Sequence, residues 1–196
     1  MNIEIRRLTP DLAEDYIHFF DTTPHNGEED GNQCYCVTWR SDASYADNSP
    51  HWFPTAAERR ERAAQFVREG SIQGYLAYLD HQVVGWCNAN AECRGGLGYL
   101  RSYWPIEEDC AGVRIKSVFC FLIAPAMRRK GIAVKLLERV CQDAAAEGFD
   151  FVEAYVDRNS DAEETDFRGS VALYKKCGFY MQAERSGRVV VRKSLK

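Results

Sequence analysis

Residues 118–146 constrain this chain more than any other stretch. An apolar run from Val118 to Ile123 stops at Ala124-Pro125, where the proline can no longer donate to a strand ladder. The basic group Arg128-Arg129-Lys130 follows, and then Gly131-Ile132-Ala133. From there Ala133, Leu136, Leu137, Val140 and Ala144 recur at steps of three or four, the period of a helix with one buried face. The spacing therefore predicts a strand, a tight basic turn and a helix in direct succession. A helix N-terminus carries unsatisfied N–H groups and the positive end of the peptide dipole. A glycine there lets the backbone approach a ligand, and the flanking cations add charge. Such a turn suits a phosphate or pyrophosphate.

Composition narrows the class of partner. The formal net charge of -4 argues against a general nucleic-acid footprint. At 196 residues with 45% hydrophobic content, the chain can bury one full core, and we expect a single domain over residues 1–196. No apolar stretch is long enough to span a bilayer, and Met1 to Arg6 lacks a signal-peptide core, so a cytoplasmic protein without membrane contact is expected. The eight cysteines do not imply a disulfide scaffold in a chain this long. Cys87, Cys120 and Cys141 fall inside apolar patterns and are expected in the core. Cys34 and Cys36, with His25 nearby, make a weak metal motif, because zinc sites space paired cysteines by two to four residues. No metal is expected.

Along the chain, Ile3, Ile5 and Leu8 suggest a first strand, and Thr9-Pro10-Asp11 a capped helix start with an apolar stripe of Leu12, Tyr16, Ile17 and Phe20. Asp21 to Pro54 has no clear period, yet holds Trp39 and Trp52; a segment of this kind covers a site. Thr55-Ala56-Ala57-Glu58 is a capping box opening a helix to about Glu69. Ser71–Leu79 and Val83–Asn90 read as a hairpin around Asp80-His81. Glu92 to Gly112 reads as a second irregular insertion. Val113–Ile123 is a strand, Phe151–Val156 a short buried one, Val171–Lys176 a short helix, and Val189–Val191 the last strand.

This order resembles the Gcn5-related N-acetyltransferase (GNAT) family. Two motifs carry the likeness. The family's Arg/Gln-x-x-Gly-x-Gly/Ala turn is matched by Arg128, Gly131 and Ala133, and its Leu-Tyr-x-Lys-x-Gly-Phe segment by Leu173, Tyr174, Lys176, Gly178 and Phe179. Where the family often has Asn seven residues before the tyrosine and Ala four before, this chain has Phe167 and Ser170. The resemblance implies a mixed α/β fold with a central, mostly antiparallel sheet flanked by helices, and acetyl-CoA as cosubstrate. It implies that the backbone from Arg129 through Lys130, Gly131, Ile132 and Ala133 to Val134 holds the pyrophosphate, with Arg128 adding charge. Leu122 and Ile123 would pair through their backbone with the pantetheine arm.

Transfer to an amine needs an acid and a base. Tyr174, which would also contact the cofactor, is the candidate acid that protonates the departing thiolate. An alkylammonium must lose a proton before it attacks; Glu153, a carboxylate in an apolar strand, is the candidate base, ahead of Glu107, Glu108 and Asp109. Trp39, Trp52, Trp86 and Trp104 are available to wall an acceptor pocket, with Glu28, Glu29 and Asp30 to pair with a cationic amine. The expected function is acetyl transfer to the primary amine of a small molecule, by direct attack in a ternary complex, in a monomer or homodimer. A non-catalytic acyl-CoA-binding module and a transferase acting on a protein or peptide amine are the competing functions.

Overall fold

The computed structural model describes residues 1–23, 33–40, 53, 55–91, 94–101, 103–106, 112–158 and 167–196. A seven-stranded sheet runs through it in the order β1-β2-β3-β4-β5-β7-β6. The strands are β1 Glu4–Arg7, β2 Gly74–Leu79, β3 Gln82–Asn90, β4 Ile115–Ile123, β5 Phe151–Asp157, β6 Tyr180–Arg185 and β7 Arg188–Ser194. Every neighbouring pair is antiparallel except β4 and β5. The mostly antiparallel mixed sheet follows the expected class.

Two cores fill the two faces. On one, α4 (Ile132–Ala146) and α5 (Val171–Lys176) cover the sheet. Leu136, Leu137 and Val140 of α4 meet Cys87, Val118, Phe121 and Ala154 there, with Tyr174 of α5. On the other face lie α1 (Ala13–Thr22), α2 (Ala56–Arg68) and the turn 33–40. Tyr16, Phe20 and Trp39 join Trp86, Phe119, Leu122 and Tyr155 in that core. The predicted helical stripe of α1 thus faces the sheet, although Thr9 makes no side-chain cap and the first turn, Pro10–Leu12, is a 3-10 turn.

The capping box forms as expected: Glu58 N–H donates to the Thr55 hydroxyl (3.2 Å), and Thr55 N–H to the Glu58 carboxylate (3.1 Å). Asp80 and His81, both at positive φ, turn the hairpin between β2 and β3. Two expectations need correction. Part of the supposed irregular insertion is helical, α3 Arg94–Arg101. Three glycines in eight residues hid it, since glycine weakens helices by about 1 kcal/mol each. An additional strand, β6, precedes the last one; its residues are half-exposed or exposed and show no apolar alternation.

Candidate active site

The sheet opens where β4 meets β5. Their parallel ladder runs only from Ile115↔Phe151 to Val118↔Ala154, although both strands continue. On the other side of β4 the register against β3 slips between Asn88↔Cys120 and Ala89↔Val118. Phe119 is therefore the extra residue of a β-bulge, which bends its strand and increases the twist. Among the described residues, the edge of β4 that faces β5 has no strand partner from Phe119 onward, and Leu122 and Ile123 lie on that stretch. An extended ligand can add to an edge of this kind through backbone hydrogen bonds.

The basic turn stands at the end of the same strand. Pro125–Met127 forms a 3-10 turn, Arg129 takes φ +62°, and Gly131 takes φ +81° as the N-cap of α4. The first helical N–H with a backbone acceptor is that of Lys135, on the Gly131 carbonyl (3.1 Å). Among the described residues, the amides of Arg129, Lys130, Gly131, Ile132, Ala133 and Val134 have no backbone acceptor. They form an unsatisfied donor cluster at the positive end of a 15-residue helix. A Cβ built on Gly131 would meet nothing within 4 Å, so the space above this backbone is open. Arg128 folds back, its Nε 3.4 Å from the Ile123 carbonyl, while Arg129 and Lys130 are exposed.

Tyr174 lies under the opening and is fully buried between Phe121 (ring centroids 6.4 Å apart) and Phe179 (5.2 Å). Its hydroxyl donates to the Arg168 carbonyl at 2.9 Å. Burial pushes the phenol well above its ordinary pKa, so it keeps its proton at neutral pH. Gly169 allows this arrangement, because a Cβ there would come within 3.2 Å of the Tyr174 ring.

The opposite face of the opening is aromatic. Trp39 stacks on Phe119 (5.0 Å, 10°), and Phe119 meets Tyr155 at 5.7 Å. The Arg168 guanidinium sits 4.3 Å from the Trp104 ring, 4.8 Å from Phe167 and 5.8 Å from Trp39. Trp39 is thus an inner wall rather than an outer lid. Trp86 is not at the opening; it is fully buried against Tyr16 and Phe20. Trp52, the acids Glu28, Glu29, Asp30, Glu107, Glu108 and Asp109, and His25 lie outside the described residues.

The turn 33–40 is held firmly. Tyr35 and Cys36 both take positive φ (46° and 53°), a costly conformation for such residues. Tyr16 donates to the Tyr35 carbonyl (2.7 Å), Asn88 to the Trp39 carbonyl (2.8 Å), and Arg59 to the Gln33 carbonyl (2.7 Å). Cys36 Sγ lies 3.0 Å from Cys120 Sγ on β4, beside the bulge. Among the described residues, no three His, Cys, Asp or Glu side chains group as a metal site.

Glu153 is buried, and both its oxygens are engaged. Arg192 donates to Oε2 from Nε (2.8 Å) and Nη2 (2.5 Å), and the Tyr155 hydroxyl donates to Oε1 (2.9 Å). Sequence reasoning singled out Glu153 but missed Arg192, Tyr155, Phe119 and Arg168. A signal existed for one of them: Arg192 interrupts the apolar run Val189-Val190-Val191 as Glu153 interrupts β5.

The family model for the Acetyltransferase (GNAT) family matches residues 36–179. No curated protein sequence matches the chain. Among solved structures, the PaiA N-acetyltransferase of Thermoplasma acidophilum in complex with coenzyme A is 17% identical, with a TM-score of 0.56 and 99% of each chain covered. An N-acetyltransferase from Staphylococcus aureus Mu50 is 14% identical, with a TM-score of 0.56 over 100% of both chains. An acetyltransferase of the GNAT family from Streptococcus pneumoniae is 17% identical, with a TM-score of 0.55, also over 100% of both. At these identities the likeness is one of fold.

Proposed function

The chain belongs to the GNAT family of acetyltransferases, and from that premise we propose that it moves the acetyl group of acetyl-CoA to the primary amine of a small molecule by direct attack in a ternary complex. One observation carries the cofactor assignment. Among the described residues, the amides from Arg129 to Val134 have no backbone acceptor, and they stand at the end of the β4 edge that has no strand partner. A pyrophosphate on the amides and an extended, amide-bearing arm along Leu122 and Ile123 fit one continuous ligand, coenzyme A.

The chemistry then divides across the sheet. The thioester lies in the opening between β4 and β5, where a free β4 N–H stabilises the oxyanion of the tetrahedral intermediate. Tyr174 protonates the thiolate. Its single proton now points at the Arg168 carbonyl, so the hydroxyl must turn about its C–O bond toward sulfur when acetyl-CoA is bound. The amine comes from the aromatic side, along Trp39, Phe119 and Trp104. Glu153 is the final acceptor of its proton. An approach walled by these buried aromatic side chains favours a compact acceptor over an extended peptide.

Release of free CoA, followed over panels of small amines, amino acids and peptides, tests this reading. We expect turnover with at least one small amine. Faster acetylation of peptides than of every small amine would move the acceptor to proteins. Binding of acetyl-CoA without turnover of any amine would make the chain a non-catalytic acyl-CoA module.

A further inference from the structure

Glu153 does not stand alone in its row of the sheet. The register aligns Asn90 of β3 with Ser117 of β4, Ser117 with Glu153 of β5, and Glu153 with Arg192 of β7. Strand alternation puts all of them on the aromatic face, and all are buried. A polar row across the middle of a sheet is expensive unless its members are paired. Here the pairing has a direction. Arg192 occupies Oε2 of Glu153. The Tyr155 hydroxyl, which has one proton, gives it to Oε1 (2.9 Å). The Ser117 hydroxyl lies 3.0 Å from the Tyr155 oxygen. With the Tyr155 proton already committed, Ser117 is the donor of that bond, and its own oxygen keeps a lone pair for a proton from elsewhere.

We propose that Ser117 and Tyr155 form a proton relay that carries the proton of the attacking ammonium to Glu153. This inference rests on acetyl transfer to an amine as the reaction. The ammonium gives a proton to the Ser117 oxygen, directly or through one water. Ser117 passes its own proton to Tyr155, and Tyr155 passes its own to Oε1 of Glu153. The freed nitrogen pair attacks the thioester carbon, the C–S bond breaks, and the thiolate takes its proton from Tyr174. The nitrogen still carries one proton more than the amide product; it returns that proton through solvent to the Tyr174 oxygen, and Glu153 gives its own to solvent. Arg192 is a positioning residue: it anchors Oε2 so that Oε1 stays under the phenol. It is the ionic partner of Glu153 from β7, and Tyr155 and Ser117 are its hydroxyl neighbours. Lys116 and Glu147 pair on the opposite face.

Ser117 stands one residue before Val118, where the β4–β5 ladder ends, so the head of the relay is next to the opening. Its position supplies what Glu153 lacks, a route to the site for a carboxylate whose own oxygens are engaged.

The test compares Tyr155→Phe and Ser117→Ala with wild type, using the fastest amine from the panel and following kcat/KM from pH 7 to pH 9.5. Tyr155→Phe keeps the ring against Phe119. Ser117→Ala leaves the bond from Tyr155 to Glu153 intact. A positioned base contributes about 10²–10⁴-fold, and water replaces part of it, so each variant is expected to lose about 10- to 100-fold at pH 7. The gap should narrow as pH rises toward the pKa of an alkylamine, about 10.4, because a neutral amine need not shed a proton before it attacks. CoA affinity should not change. A loss that is the same at every pH, or no loss in either variant, overturns the relay while acetyl transfer stands. Absence of CoA release by the wild type with every amine overturns the transferase reading and the relay with it.

Discussion

Gly131 holds φ +81° with open space above it. The two facts separate its roles. Gly131→Ala meets no steric obstacle, so its cost is conformational, roughly 1–2 kcal/mol for an L-residue in the left-handed region. Urea unfolding should show that loss in midpoint with an unchanged slope. Gly131→Glu adds a carboxylate to the space above the free amides and should abolish CoA binding while far-UV circular dichroism keeps its native shape. Full CoA affinity in that variant would reduce the basic turn to a surface feature. Tyr174→Phe is the corresponding test of the acid. The ring contacts with Phe121 and Phe179 survive, whereas the buried Arg168 carbonyl loses its donor, at a cost of about 1–3 kcal/mol. We expect kcat to fall about 10²-fold, at the low end for general acids, because solvent can also protonate a thiolate. An unchanged kcat with chemistry limiting would leave Tyr174 a structural residue.

At the scale of elements, legibility followed local chemistry. Helix α2 could be read because Thr55 and Glu58 satisfy each other's backbone across one turn. Thr55→Ala should cost about 1 kcal/mol in chemical denaturation, and Thr55→Ser almost nothing. Helix α4 was legible from its apolar period and the glycine before it. Helix α3 was not, since its glycines oppose the local preference and only tertiary packing, with Leu100 fully buried, holds it. Strand β6 was hidden for the opposite reason: as an edge strand with half-exposed or exposed side chains, it had no buried face to announce. The end of α4 makes a pH prediction. Burial pushes Asp143 and Glu147 up, but hydrogen bonds outweigh it, from Arg139 and Tyr75 to Asp143 and from Arg7 and Lys116 to Glu147. Both carboxyls therefore sit below their ordinary values in the folded state. A depressed carboxylate contributes stability that is present above its unfolded pKa, about 4, and lost as pH falls through the folded value. Stability should hold at pH 6 and decline below about pH 4. Asp143→Asn with Glu147→Gln should flatten that acid limb in a series of melting curves.

At the scale of the whole molecule, the site is a product of topology. The basic turn and Tyr174 were both visible as motifs, about forty residues apart in the chain. What could not be read was the place where they meet. The β4–β5 ladder stops at Val118, and nothing in the sequence of either strand marks that stop. It depends on the bulge at Phe119 and on the turn 33–40 packing Trp39 and Cys36 behind it. The buried row from Asn90 to Arg192 was equally hidden, because it exists only once four strands are in register. This architecture makes a global prediction for cofactor binding. Coenzyme A would bridge the free edge of β4 and the start of α4, elements that carry one core between them. A ligand at a hundred times its dissociation constant stabilises the folded state by about 2.7 kcal/mol. For a chain of this length that corresponds to a rise of roughly 5–10 °C in Tm. Hydrogen exchange should locate the gain, with added protection in the amides from Arg129 to Val134 and from Phe119 to Ile123. Desulfo-CoA should reproduce both effects, since the pyrophosphate and the arm make the contacts and the sulfur does not. A shift in Tm without protection of those two segments would place CoA elsewhere on the molecule, and no shift at millimolar ligand would remove it from the mechanism.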